Sequence, residues 1–191
     1  MKAPPFAYVR AHSLDEAFEL LAVHGEDAKL LAGGQSLLAA LNLRLSSPGV
    51  LIDISRIADL AGITLAGRRI HIGALTTHAA IERSPEIAAN LPLLAQAAPH
   101  IAQVAIRNAG TMGGSLAMAD PAAEWPACCV ALDAEFVVAA RSGTRHVKAL
   151  DFFTDDAEVE VRFSGVMTGR ENQCRGTRPG SITDHLLSCR R

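Results

Sequence analysis

Two short stretches of the chain set bare backbone beside hydroxyl and amide side chains. The first is Ala32-Gly33-Gly34-Gln35-Ser36 and the second is Gly110-Thr111-Met112-Gly113-Gly114-Ser115. Glycine reaches positive φ without a Cβ penalty and lets a ligand approach the main chain. Where such a turn opens a helix, the first amides lack partners and carry partial positive charge, a setting that holds a phosphate or pyrophosphate. Two such corners facing each other across a cleft would match the length and charge of a diphosphate dinucleotide. Asp120 and Glu124 lie just downstream, where a carboxylate can accept from a ribose hydroxyl or an adenine amine. Neither stretch is a P-loop, which needs GxxxxGK with a following Ser or Thr, and neither carries GxGxxG. Taken alone, each glycine pair also fits a purely structural corner.

Other chemistry finds little footing. The seven histidines are scattered, with no HExxH or other ligand spacing, so no metal site is expected. Ser36 and Ser115 lack the GxSxG elbow of a hydrolase. A transferase using ATP and magnesium would want a P-loop lysine that is missing. No side chain is assigned as a nucleophile or general base. His100 and Trp125 are expected to pack rather than to meet a ligand. Of four cysteines, Cys128 and Cys129 are adjacent and no CxxC occurs, so this pair is read as small buried apolar residues in a reducing cytoplasm.

The elements that position the two stretches follow from periodicity. Ser13 stands three places before Glu16 ahead of an apolar run, a capping box that opens a helix which Gly25 would stop. Residues 29–32 read as a strand, 35–44 as a helix and 50–54 as a buried strand, giving a small βαβ-like lobe over residues 1–57. Residues 63–66 and 69–74 flank Gly67-Arg68 as a hairpin. Thr76 or Thr77 caps a helix through Ile81, and Ile87, Leu91, Leu94 and Ala98 predict one long helix from Glu86 to Ile101. A helix over 126–132 and strands at 135–140 and 144–148 complete a larger α+β lobe, residues 58–163.

Apolar periodicity stops after Phe163, and residues 164–191 carry five arginines against Glu171 and Asp184, so they are read as a disordered tail. With 49% apolar residues, 20% charged ones and a net charge of −2, the chain is globular and has no electrostatic reason to bind nucleic acid. No run has the length of a membrane span.

The strings LAGGQSL at 31–37, IRNAGTMGGSLA at 106–117 and ADPAAEWP at 119–126 resemble the flavoprotein medium subunit of carbon monoxide dehydrogenase and the FAD domain of xanthine dehydrogenase. VLIDISRI at 50–57 and IGALTTH at 72–78 add to the likeness, which extends over roughly residues 1–153, with 155–163 resembling a further strand. The resemblance implies an α+β, two-lobed FAD-binding fold of the molybdenum hydroxylase flavoprotein type. It also implies a third C-terminal domain over the isoalloxazine, which this chain is read as lacking through truncation.

By the same resemblance the cofactor is FAD. Its contacts are Ala32, Gly33, Gly34, Gln35, Ser36 and Leu37, then Gly110, Thr111, Gly113, Gly114 and Ser115, with Glu124 on the adenosine side and Ile101 on the approach. The implied partners are a molybdopterin-binding large subunit and an iron-sulfur small subunit, whose electrons pass through FAD to an external acceptor. The other reading is a shortened subunit-interaction module that does not hold flavin stably.

Overall fold

The computed structural model describes residues 2–153 and the strand Val166–Arg170. The small lobe alternates strand and helix: β1 (Ala7–Arg10), α1 (Leu14–His24), β2 (Ala28–Leu31), α2 (Leu37–Asn42) and β3 (Val50–Asp53). All pairs are parallel, in the order β1-β3-β2. Central β3 is buried along its whole length, as a strand covered on both faces must be. Val50 and Ile52 join Ala17 and Leu21 of α1 in one apolar cluster, while Leu51, one residue out of phase, turns to the other face.

The expected capping box is present. Ser13 Oγ accepts from Glu16 N at 3.1 Å, the Glu16 carboxylate accepts from His12 N at 2.7 Å, and Gly25 ends α1 at φ +54°. Strand β1 was not anticipated. Its four residues are too few for an alternation to register, and the parallel register with β3 holds them.

The larger lobe opens with the expected hairpin of β4 (Ile63–Ala66) and β5 (Arg69–Gly73), turned at Gly67 with φ +62°. Next, α3 (His78–Arg83) is capped by Thr77, whose Oγ1 accepts from Ala80 N at 3.2 Å. Thr76 is buried instead, its Oγ1 bonded to both N and O of Gly62 at 2.9 Å. The long helix predicted over 86–101 is in fact α4 (Pro85–Asn90), α5 (Pro92–Ala97) and a 3₁₀ turn at Ala98–His100. Pro92 and Pro99 cannot donate to a continuous helical ladder, and Leu91 leaves the helical region at φ −129°, ψ 61°.

The chain continues through α6 (Val104–Ala109), α7 (Met112–Met118), α8 (Glu124–Ala131), β6 (Glu135–Ala140), β7 (Gly143–Lys148), α9 (Ala149–Phe152) and β8 (Val166–Arg170). Among the described residues the sheet order is β4-β5-β8-β6-β7, all antiparallel. Strand β8 therefore corrects the reading of an unstructured tail for residues 166–170. It lies between β5 and β6, where main-chain bonding on both sides holds a strand that shows no apolar period of its own. The strand suggested at 155–163 and the segment 171–191 lie outside the described residues.

Two cores result. The larger joins Ile72, Ile81, Leu94, Met112, Trp125 and Phe136 among others, and the smaller extends past residue 57 to include Leu60 and Leu75. Cys128 and Cys129 are both buried, as expected. Burial, with help from the Glu124 carboxylate, pushes the Cys128 thiol up to about 12, which leaves it inert. Among the described residues no group of His, Cys, Asp or Glu could hold a metal, and no helix is long and apolar enough to cross a membrane.

Candidate functional site

In a parallel sheet the carboxyl ends of all strands share an edge, the usual place for a ligand in such sheets. The first glycine corner leaves β2 at that edge. Gly34 adopts φ +70°, a left-handed conformation that favours glycine, and Gln35 and Ser36 are exposed. The amides of Gly34, Gln35, Ser36 and Leu37 donate to no atom of the described residues, since the first helical bond is Leu38 N to Gly34 O at 3.1 Å. Ser36 makes no side-chain cap, and Gln35 Nε2 donates to Gly33 O at 2.9 Å. Gly33 serves another purpose. A Cβ there would overlap the Ala109 carbonyl oxygen and come within 2.9 Å of Gly110 Cα, so this corner is seated directly on the second one.

The second stretch is not the turn that the sequence suggested. Gly110 and Thr111 form the corner, and Gly113 and Gly114 already lie in the first turn of α7. Its amides are occupied by the chain itself. Gly110 N donates to Ile106 O at 2.7 Å, Met112 N to Thr76 O at 2.9 Å, Gly113 N to Ala74 O at 2.8 Å and Ser115 N to Thr111 O at 3.1 Å. Gly114 N takes the Thr111 Oγ1 cap at 3.2 Å. Of residues 110–115, Thr111 alone keeps an amide that donates to no described atom. The expectation of free donors from both corners is thus corrected. Glycine at 113 makes room for the chain: a Cβ there would lie 2.7 Å from Ala74 Cβ.

Behind the second corner the packing is polar but fully satisfied. The Arg107 guanidinium pairs with Glu82 through Nε at 2.9 Å, and its Nη1 donates to Ile101 O at 3.1 Å and Ala102 O at 2.9 Å. Ile101 itself is buried in the larger core. Trp125, fully buried, donates its indole N–H to His78 Nδ1 at 2.9 Å. Burial, and secondarily the Arg107 charge, lowers the His78 imidazole to about 4, so the ring is neutral. Glu124 is half-buried at the start of α8, one residue before Trp125. At the small lobe's edge, burial would raise the Asp53 carboxyl, but hydrogen bonds from Ser55, Tyr8 and Arg10 outweigh it and hold it at about 2.

Residues 4–168 match the family described as the FAD binding domain in molybdopterin dehydrogenase. The chain belongs to this family. It is similar to the 6-hydroxypseudooxynicotine dehydrogenase complex subunit alpha of Paenarthrobacter nicotinovorans, 50% identical over 147 residues that are 77% of this chain and 50% of that protein. It is 46% identical to the carbon monoxide dehydrogenase medium chain of Hydrogenophaga pseudoflava over 80% of this chain and 53% of that one. A solved carbon monoxide dehydrogenase from the same organism superposes with a TM-score of 0.87 at 40% identity, over 91% of this chain and 62% of that chain. Quinoline 2-oxidoreductase from Pseudomonas putida 86 follows at 0.81 and 34%, over 90% of this chain and 61% of that one. The chain thus spans between half and three-fifths of these relatives' length.

The family's cofactor is FAD, and the residues present fit it. A corner whose amides have no acceptor among the described residues, with the glycine-favouring φ of Gly34 and exposed Gln35 and Ser36, suits a diphosphate. Thr111 is buried, Ser115 half-buried and Gly114 exposed on the adjoining wall. The family match also runs to residue 168, past Phe163, where the resemblance read from the sequence ends, and takes in part of β8. Sequence reasoning missed His78 and Arg107, although both stand inside the quoted strings. A single His or Arg carries no spacing signal, and only the fold shows what each one faces.

Proposed function

We propose that this chain is the FAD-holding part of a flavoprotein subunit in a molybdenum-containing hydroxylase or dehydrogenase complex. In that complex, electrons from iron-sulfur clusters on a small partner subunit, supplied in turn by a molybdopterin-binding large subunit, leave through FAD to an external acceptor. Bound FAD supplies the redox chemistry, and the protein contributes binding, orientation and electrostatics.

The observation that carries this reading is the seating of Gly33 on Ala109 and Gly110, which brings the open corner of one lobe against the closed corner of the other. In this reading the amides of Gly34 to Leu37, with Gln35 and Ser36, hold the pyrophosphate. Ala32 and Gly33 set the approach, and Gly110, Thr111, Gly113, Gly114 and Ser115 form the opposite wall. Glu124 accepts from the adenosine part, and Ile101 backs the wall from the core. A cytoplasmic setting is part of the proposal and suits the buried free thiol of Cys128.

Titrating FAD into the purified 191-residue chain tests the reading. The expected result is saturable quenching of flavin fluorescence at one FAD per chain. Colourless protein that takes up no added FAD would instead favour the interaction module.

A further inference from the structure

Three contacts converge on His78. Its backbone N–H donates to Gly110 O at 3.0 Å, and its Nδ1 accepts the Trp125 indole N–H at 2.9 Å. The far edge of the ring lies against Gly110, where a Cβ would come within 2.7 Å of Nε2. Trp125 directly follows Glu124 at the start of α8, and Gly110 lies under Gly33 of the first corner. One imidazole therefore links the second corner to the first turn of α8, and through Gly110 it also bears on the first corner.

We propose that His78 is a positioning residue for FAD: through its bond from Trp125 it sets Glu124 against Gly110 and Thr111, and so fixes the spacing between the adenosine acceptor and the pyrophosphate corners. This rests on the proposed function above. The geometry asks for a flat ring under a glycine and an acceptor at Nδ1. A neutral imidazole meets both needs, with the remaining ring proton on Nε2, whereas a protonated one would offer donors on both nitrogens. Burial maintains the neutral form. Trp125 has no exposure at all, so an indole N–H without this acceptor would be left unsatisfied inside the core.

The chain contains one tryptophan, so a single indole N–H resonance reports the bond directly. His78→Asn keeps an acceptor, Oδ1, in the place of Nδ1; His78→Leu removes it at similar volume; and Trp125→Phe removes the donor. FAD affinity is expected to fall about tenfold in His78→Leu and in Trp125→Phe, and to stay within about threefold of wild type in His78→Asn, which also restores the shifted indole resonance. A structural role alone would lower the melting temperature of the FAD-free chain and leave the affinity of folded molecules unchanged.

Folded His78→Leu and Trp125→Phe chains with wild-type affinity would overturn the inference. So would a His78→Asn chain that regains the indole signal and the melting temperature but not the affinity. Should His78→Leu fail to fold, Trp125→Phe against His78→Asn decides. A wild-type chain that takes up no FAD defeats the proposed function and this inference together, whereas wild-type uptake with unaltered variants defeats this inference alone.

Discussion

The two glycine corners look alike as strings and behave differently as structures. Each places paired glycines near a hydroxyl, and each opens a helix. At the first, four consecutive amides have no acceptor among the described residues. At the second, Thr76, Ala74, Ile106 and Thr111 occupy all but one amide. Glycine at Gly34 supplies a backbone conformation, while glycine at Gly33, Gly110 and Gly113 supplies clearance for another part of the chain. One residue type thus does two jobs, and in the proposed function the division leaves one corner to bind and the other to brace.

Substitutions can break this comparison, and the largest effect is expected at Gly33. A methyl group there meets main-chain atoms of Ala109 and Gly110, which cannot rotate away. Gly33→Ala should cost about 3 kcal/mol or more in chemical denaturation and abolish FAD uptake, because the corners can no longer meet.

Acid comes next and acts through the brace. His78 has a folded-state value of about 4 against an ordinary 6.5. The unfolded chain therefore binds a proton that the folded chain refuses. The resulting stability is full above about pH 6.5 and is lost as pH falls toward 4, a difference of roughly 3 kcal/mol. Melting temperature measured across that window should fall more steeply for wild type than for His78→Asn. Parallel slopes would remove His78 from the brace.

Smaller effects separate the two jobs of glycine. Gly113→Ala presses on Ala74 and should destabilise by about 2 kcal/mol while weakening FAD binding by no more than about threefold, since that amide is already bonded within the chain. Gly34→Ala meets a positive φ and should cost only about 1 kcal/mol in stability, yet weaken FAD binding about tenfold by re-aiming the free amides. Paired melting and titration curves check both, and a reversal of the pattern would mean that the jobs have been assigned to the wrong corners.

Much of the scaffold was legible where the determinants are local. The Ser13–Glu16 capping box, the Gly67-Arg68 hairpin and the continuous apolar run of β3 all depend on neighbours within a few positions. Errors arose where distant partners decide. Ile87, Leu91 and Leu94 are all buried in one core, so two short helices imitated the period of one, even with Pro92 between them. Strands β1 and β8 have little pattern of their own and are held by main-chain pairing.

At the site, the glycines and the carboxylate were readable as candidates. The status of their amides was not, because it depends on carbonyls at Ala74 and Thr76, far back in the chain. The contact between Gly33 and Ala109 is likewise invisible until both lobes are folded.

Amide hydrogen exchange, resolved residue by residue with and without FAD, tests this division of labour most directly. Met112, Gly113 and Gly114 should be protected in both states, while Gly34, Gln35 and Ser36 should exchange freely alone and slow only when FAD is added. Protection appearing at the second corner on FAD addition, with none gained at the first, would contradict the account.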